Sequence, residues 1–206
     1  MIKSILALLL LPVLAFAAVE GLSNPVVEGL SNPVVEGVSG TPDDVIVRPS
    51  SNYSTLNDFA ASAGQKYECV DEETPNGDDD YIYKTDASSG QGFDNLPTLP
   101  DGTILGVAVY VVAKEIGGDT TIRPRLYTGD NVTNGAPTAQ NITTSYAEYS
   151  YEWTTNPATS EAWTKAEVEG TDETHPLVGW GFYSAGIDAG ETTRVTQVYL
   201  VVRYNE

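Results

Sequence analysis

The sequence predicts an all-β fold, an antiparallel β-sandwich of the jelly-roll kind, with an extended N-terminal tether in front of it. Three observations predict this fold. β-Branched and aromatic residues recur in short segments, turn-forming Gly, Pro and Asp separate those segments, and only residues 164–168 have a helix pattern. The chain has 206 residues, 41% of them hydrophobic, which is enough for one domain with a sizeable core.

The first 17 residues have the pattern of a cleavable export signal. Lys3 precedes an apolar run over residues 5–17, and the run ends in Ala15-Phe16-Ala17, the small-x-small step that signal peptidase requires. The run is too short to span a bilayer as a helix. The sequence therefore predicts no membrane span and a secreted protein, extracellular or held at the cell surface, whose mature chain begins at Ala18.

An octapeptide repeat occupies most of the next segment, residues 18–44. Residues 19–26 and 27–34 have the same sequence, and residues 35–42 form a diverged third copy. Gly and Pro once per period prevent a helix, so the segment is predicted to be an extended tether. Its apolar side chains have no core of their own, and they are the predicted contacts to a neighbouring copy of the chain: Val19, Leu22, Val26, Val27, Leu30 and Val34.

The predicted sandwich occupies residues 45–206, and its first strand covers residues 44–48. Residues 103–113 are apolar on both faces, as in a central strand. A Gly-Gly-Asp turn leads into the strand over 120–128, where period-two spacing places Arg123, Arg125 and Tyr127 on one face. Further strands are predicted over 146–153, 177–183 and 192–204, and Thr164 caps the short helix.

Charge and composition exclude several classes of function. Lys and Arg number 10 against 29 Asp and Glu, and the net charge of −19 disfavours nucleic acid and anionic membranes as partners. His175 is the only histidine and Cys69 the only cysteine, so neither a nucleophile–base set nor a zinc ligand set is available. The sequence therefore predicts a protein that is not an enzyme and carries no cofactor, with Ca²⁺ as the single alternative.

The acidic loop over residues 71–80 is the candidate metal site. Ca²⁺ takes about six to eight oxygen ligands, and this loop concentrates carboxylates that repel one another unless a cation lies between them. A solvated turn is the alternative interpretation. The candidate ligands are Asp71, Glu72, Glu73, Asn76, Asp78, Asp79 and Asp80.

Aromatic residues of one strand region give the candidate glycan site, namely Tyr149, Tyr151 and Trp153. Flat rings on an exposed sheet face stack on sugars, whereas rings on the inner face belong to the core. Strands favour aromatic residues in either case. A core or an interface is therefore the alternative to a carbohydrate-binding surface.

Several segments match the sequence pattern of a known domain. They are residues 67–72 followed by 76–81, Leu99-Pro100 followed by 104–112, residues 145–164, and the closing segment 195–204. Together they resemble a jelly-roll-like β-sandwich domain of tailed-phage and prophage virion structural proteins, over residues 45–204. Ser160 stands where that family usually has glycine. The resemblance implies an assembled, non-enzymatic structural protein.

The leading functional prediction is a secreted structural or interaction protein. It would build a cell-surface or extracellular assembly, such as a filament, by adding the extended segment of one copy to the open sheet edge of another. The first alternative is a carbohydrate-binding module with a glycan as its partner. The second alternative is an accessory structural protein of a virion or tail.

Overall fold

The computed structural model describes residues 42–129 and 132–206, and nearly all regular structure within them is β-strand. No helix in these two ranges is long and apolar enough to cross a membrane. One single-turn helix, α1 (Lys165–Val168), lies between β9 and β10. The strands are β1 (Asp43–Val47), β2 (Ala60–Ala61), β3 (Ile82–Thr85), β4 (Ser89–Phe93), β5 (Thr103–Ile116), β6 (Thr121–Thr128), β7 (Val132–Gly135), β8 (Gln140–Asn141), β9 (Ala147–Trp153), β10 (Leu177–Ala185) and β11 (Thr192–Asn205).

The strands form two antiparallel sheets. The larger sheet has the order β2-β3-β11-β5-β9. β3 pairs with the first residues of β11, and β1 pairs with its last residues. The smaller sheet has the order β4-β10-β6-β7, and β8 also pairs with β6. From β3 to β6, and again from β9 to β11, each connection carries the chain from one sheet to the other. This alternation gives a jelly roll, which confirms the predicted fold class.

β5 and β11 form the centre of the larger sheet and pair along almost their whole lengths. Val107 and Val109 pair with Val202 and Leu200, and all four side chains are fully buried against the smaller sheet. Ala108, on the opposite face of β5, is also buried. The two apolar faces of β5 therefore agree with the predicted central position in the sheet, with one face packed against the smaller sheet.

The inner face of the smaller sheet supplies the largest core side chains. Trp180 and Phe182 of β10 are fully buried, and the Trp180 ring lies 5.2 Å from the ring of Phe93 of β4. The Trp180 indole N–H donates to the carbonyl oxygen of Asn95 at 2.8 Å, so the buried donor is satisfied. This packing fixes which residues of β10 and β6 face outward.

Three local features differ from the sequence prediction or extend it. β3 and β4 were not predicted, and β4 contains two glycines and no β-branched residue. Residues 67–69, which have a strand-like composition, form a 3₁₀ turn in which the Cys69 N–H donates to the Lys66 carbonyl. Cys69 is nevertheless 1% exposed, as expected of a small core residue.

The loop before α1 gives a physical reason for the glycine of the resembled family. Ser160 has a φ of +65°, a left-handed conformation that glycine adopts at little cost. The predicted cap at Thr164 is confirmed, because its hydroxyl accepts the Glu167 N–H while the Glu167 carboxylate accepts the Thr164 N–H. Trp163, next to the cap, is buried and donates to the Trp153 carbonyl at 2.9 Å.

Candidate functional site

A row of side chains from β6 lies on the outer face of the smaller sheet. Successive residues of a strand point to opposite faces, so the burial of Ile122 and Leu126 in the core turns Arg123 and Arg125 outward. Both arginines are half-buried. The period-two pattern of β6 therefore places two cations side by side on one sheet surface, as the sequence predicts.

Glycines beside these arginines keep the sheet surface low. Gly181 of β10 pairs with Arg125 on one side and with Gly92 of β4 on the other. A Cβ atom on Gly181 would lie 2.1 Å from the carbonyl oxygen of Gln91 and 2.8 Å from the Cα atom of Gly92. No larger residue fits there without a shift of β4, so bare backbone forms the floor beside the arginines.

A loop segment closes one end of this face. The Tyr53 N–H donates to the Gly92 carbonyl at 2.9 Å, and the Tyr53 ring stacks on the Tyr127 ring with centroids 5.2 Å apart. Tyr127 is buried as a result, although it points to the same side of β6 as the arginines. Burial raises the pKa of the Tyr127 hydroxyl well above its usual range, while the adjacent Arg125 guanidinium opposes that shift. The open part of the face therefore begins at Arg125.

The open part of the face is a groove of about 200 Å³. Tyr183 and Ala185 of β10 pair with Arg123 and Thr121 of β6, so the groove runs over two neighbouring strands. No carboxylate in the described part of the chain lines it. The lining residues are Thr121, Arg123, Arg125, Ala139, Tyr183 and Ala185.

Arg125 is held against Tyr183. Its guanidinium carbon lies 4.1 Å from the centroid of the tyrosine ring, a cation–π contact. The Arg125 Nε atom is buried and has no hydrogen-bond partner among residues 42–129 and 132–206. A buried donor without an acceptor costs about 1–3 kcal/mol. The Tyr183 ring fixes the orientation of Arg125 in the wall of the groove.

The cations of the groove differ from the others in the described ranges. Arg194 pairs with Asp78 at 2.9 Å and Arg203 pairs with Glu152 at 3.3 Å, for example. Every further Lys or Arg there either pairs with a carboxylate or donates to a carbonyl oxygen. Arg123 and Arg125 do neither with described residues, although the chain has 29 acidic residues. The groove is thus a locally positive surface on an acidic protein.

The aromatic residues predicted to form a sugar platform on β9 lie elsewhere. Tyr149 and Trp153 are 6% and 7% exposed and belong to the core, and Tyr151 packs against it. The Tyr151 and Trp153 rings meet edge to face, 4.7 Å apart. Two of the three rings, those of Tyr149 and Trp153, are too buried to stack on an external sugar, and Tyr151 is half-buried. The predicted platform of three exposed rings is therefore corrected. The polar residues that alternate with them, Glu148, Ser150 and Glu152, indicate the outward face.

The structure separates the candidate calcium ligands. The Asp78 carboxylate binds Lys114 and Arg194 and accepts from the Tyr146 hydroxyl at 3.0 Å. Hydrogen bonds from Lys114 and then Arg194 lower the pKa of Asp78 to about 2. Glu73 and Asp79 are exposed, and Asp71 is half-buried.

In the described ranges, no three or more His, Cys, Asp and Glu residues are grouped in a way that could hold a metal ion. The seven candidate oxygen donors therefore do not converge on one point. Calcium binding stays a prediction from the sequence.

Two of the seven candidates, Glu72 and Asp80, do come together around Asn76. The Asn76 amide nitrogen donates to both carboxylates, at 3.1 Å to Glu72 Oε1. The other oxygen of Glu72, Oε2, is buried without a partner among the described residues. Burial, and next the charge of Asp80, raise the pKa of Glu72 to about 7.

We expect the substitution Glu72→Gln to raise thermal stability at pH 8 and to leave it nearly unchanged at pH 5. The folded-state pKa of about 7 lies above the ordinary value of 4.5, so this carboxyl favours folding below pH 4.5. That contribution is lost as the pH rises through 7, and a neutral Gln avoids the loss. Glu72 is only half-buried, so solvent screening limits the gain to about 1 kcal/mol.

Circular-dichroism melts at the two pH values measure this difference, and a gain of about 2–4 °C is expected at pH 8. Glu73→Gln is the matched control, because Glu73 is an exposed neighbour in the same loop. An equal gain for Glu72→Gln at both pH values would contradict the raised pKa.

Side chains with catalytic potential do not meet in the described ranges. His175 is exposed, and its backbone N–H donates to the Asp172 carboxylate at 2.7 Å. The Cys69 thiol donates to the Ala63 carbonyl at 2.8 Å, and burial raises the pKa of the thiol. A buried cysteine with a raised pKa is a poor nucleophile. Neither residue lines the groove.

The signal peptide over residues 1–17 lies outside the described residues, and so does the tether up to residue 41. The predicted partner-binding side chains belong to this part: Val19, Leu22, Val26, Val27, Leu30 and Val34. Self-assembly, secretion and the virion role therefore stay predictions. The sandwich itself begins two residues before the predicted boundary, because β1 starts at Asp43.

Comparisons with known proteins give structures but no sequence family. No protein-family model matches the chain, and no curated protein matches it. One similar structure is a fragment of a Clostridium thermocellum xylanase that contains the CBM22-1 and GH10 modules, complexed with xylohexaose. It has 13% identity and a TM-score of 0.42 over 76% of this chain. The chain spans 26% of that fragment.

Two single modules are similar over nearly their whole lengths. One is the CBM22-1 xylan-binding domain of Paenibacillus barcinonensis Xyn10C, with 9% identity, a TM-score of 0.39, and coverage of 81% of this chain and 97% of that one. The other is TmCBM61 in complex with β-1,4-galactotriose, with 11% identity, a TM-score of 0.38, and coverage of 86% and 97%.

Proposed function

We propose that the sandwich domain is a non-catalytic carbohydrate-binding module that holds a glycan in the groove on the outer face of the smaller sheet. The observation that carries the proposal is the lining of that groove. It combines the half-buried ring of Tyr183 with two arginines that pair with no described carboxylate, and the bare backbone of Gly181 lies beside Arg125.

These three features suit the chemistry of a sugar chain. A sugar ring has an apolar C–H face that packs on an aromatic ring, and hydroxyl oxygens that accept hydrogen bonds from guanidinium N–H groups. Tyr183 lines the groove and is only half-buried, so part of its side chain is accessible to a ligand. The bare backbone at Gly181 leaves room beside Arg125 for a chain that extends beyond the groove.

The same lining favours binding over cleavage. Glycoside hydrolysis in most enzymes requires two carboxyl groups on either side of the scissile bond. No carboxylate of the described residues lines the groove, and the nearest candidate for a base in the sequence, His175, is not part of it. A groove with donors and an aromatic ring, but no acid or base, holds a glycan without reacting with it.

The substitution Tyr183→Ala tests the proposal. We expect it to weaken binding of a retained polysaccharide about tenfold or more, because it removes the ring and the contact that orients Arg125. Affinity electrophoresis of the sandwich domain against a panel of plant, algal and bacterial polysaccharides identifies a retained one. Isothermal titration with oligosaccharides of that polymer then measures the loss.

Tyr110→Ala is the matched control for this experiment. Tyr110 is a half-buried tyrosine on the outer face of the other sheet, where its ring stacks on Tyr199 at 4.8 Å. The control variant should bind as the unmodified protein does. Failure of every polysaccharide to bind, or equal affinities of the Tyr183→Ala variant and the unmodified protein, would overturn the proposed function.

A further inference from the structure

We infer that the groove selects anionic glycans, whose carboxylate or sulfate groups are bound by Arg123 and Arg125. This inference rests on the proposed function, and it names the class of sugar that the module takes. Neither arginine forms an ion pair with a described carboxylate.

The first step concerns the choice of side chain. A neutral sugar needs only hydrogen-bond donors, which Ser, Thr, Asn or Gln supply without a charge. Arg123 and Arg125 instead place two permanent positive charges side by side on one strand. Like charges so close repel each other, and no described carboxylate relieves that repulsion. An anionic ligand group would supply the missing counter-charge.

The second step concerns the shape of the site. Residues two apart on one face of a strand are separated by about 7 Å, so the two guanidinium groups reach either one anionic group or adjacent ones along a chain. Gly135 of β7 leaves the space that the Arg123 stem occupies, because a Cβ atom there would lie 2.8 Å from the Arg123 Cδ atom. A planar guanidinium binds a carboxylate or sulfate through two parallel N–H bonds.

The third step concerns the charge of the whole chain. The net charge of −19 repels a polyanion at long range, where the protein acts as a single negative body. At about 0.15 M salt the Debye length is about 8 Å, so distant carboxylates are largely screened. A contact between an arginine in the groove and an anionic group is direct and is screened much less. Net charge therefore slows association without excluding binding in the groove.

A pair of ligands that differ only in charge tests this inference. Oligogalacturonate of defined length and its methyl ester have the same sugar chain, with and without free carboxylates. Isothermal titration of the full chain at about 0.15 M salt should give an affinity for the acid at least about tenfold higher than for the ester. A sulfated galactan oligosaccharide and its desulfated form make the second pair and distinguish sulfate from carboxylate recognition.

Substitutions in the groove then locate the effect. Arg123→Gln and Arg125→Gln together should abolish the preference for the charged member of each pair, because glutamine keeps donors and removes the charge. Arg123→Lys with Arg125→Lys should retain part of it, since the charge remains but the two-pronged geometry is lost. Lys165→Gln, which removes a positive charge outside the groove, should change nothing. Circular dichroism confirms that each variant is folded.

The outcomes separate this inference from the proposed function. A preference for either charged ligand that disappears in the glutamine variant supports anionic selection. Equal affinities for the charged and neutral members of both pairs, with binding still sensitive to Tyr183→Ala, overturn anionic selection and leave the proposed function standing. If no acidic or neutral glycan of the panel binds, the proposed function falls and this inference falls with it.

Discussion

Replacing Trp180 by alanine is expected to lower the free energy of unfolding by about 3–5 kcal/mol, the largest effect of any single change considered for this domain. Trp180 is fully buried on the inner face of β10, and its ring packs on Phe93 of the neighbouring strand. The substitution removes this contact, leaves a cavity in the core, and deprives the Asn95 carbonyl of its indole donor.

Denaturant unfolding, followed by intrinsic fluorescence and circular dichroism, measures this loss. Trp180→Phe is the matched variant, because it keeps an aromatic ring and loses the hydrogen bond to Asn95 at 2.8 Å. It should cost about 1–2 kcal/mol, clearly less than the alanine substitution. A loss below about 1 kcal/mol for Trp180→Ala would mean that Trp180 does not have the core position described here.

The sequence is sufficient to predict the strands whose side chains obey a clear period. Residues 103–113 are apolar on both faces and form the central β5, and the alternation along 120–128 correctly places Arg123 and Arg125 on one face. β4 could not be predicted in this way. Its sequence, Ser-Gly-Gln-Gly-Phe, lacks β-branched residues because its outward positions face the backbone and side chains of other elements. Such a strand is specified by its neighbours and not by its own propensity.

The candidate site was only half accessible to sequence reasoning. The two arginines were placed together, but nothing local pairs them with Tyr183, which belongs to a strand far along the chain. That neighbourhood depends on the register of β6 against β10, which the packing of Trp180 and Leu126 inside the sandwich sets. The aromatic residues of β9 were more conspicuous in the sequence, and they are core. The lack of carboxylate partners at Arg123 and Arg125 becomes visible only in the structure, because ionic partners come from distant strands.

The acidic loop shows why residue composition alone does not define a metal site. A dense run of carboxylates can be stabilised by cations of the protein itself, and Asp78 uses Lys114 and Arg194 in this way. The remaining pair, Glu72 and Asp80, shares the amide of Asn76. Burial and the charge of Asp80 raise the pKa of Glu72, so that the carboxyl can be neutral where two charges would repel each other. Neither arrangement can be deduced from spacing, because the partners come from distant strands.

Gly181→Ala is expected to destabilise the domain by about 3 kcal/mol and to weaken glycan binding at the same time. The new methyl group would lie 2.1 Å from the Gln91 carbonyl oxygen, which is backbone of β4 and cannot rotate away. β4 must therefore move from β10, which breaks ladder hydrogen bonds and displaces the floor beside Arg125. Denaturant unfolding measures the stability, and titration with the retained oligosaccharide measures the binding.

Gly90→Ala is the matched control, because Gly90 lies on the same face, in β4, and a methyl group there would meet its nearest atom at 3.4 Å, an ordinary contact. Neither glycine has a positive φ, so the two substitutions differ in available space and not in backbone strain. Alanine at position 90 should be tolerated within about 0.5 kcal/mol, or stabilise slightly through the unfolded chain. Equal losses at the two positions would show that the close approach of β4 and β10 at Gly181 is not what excludes a side chain there.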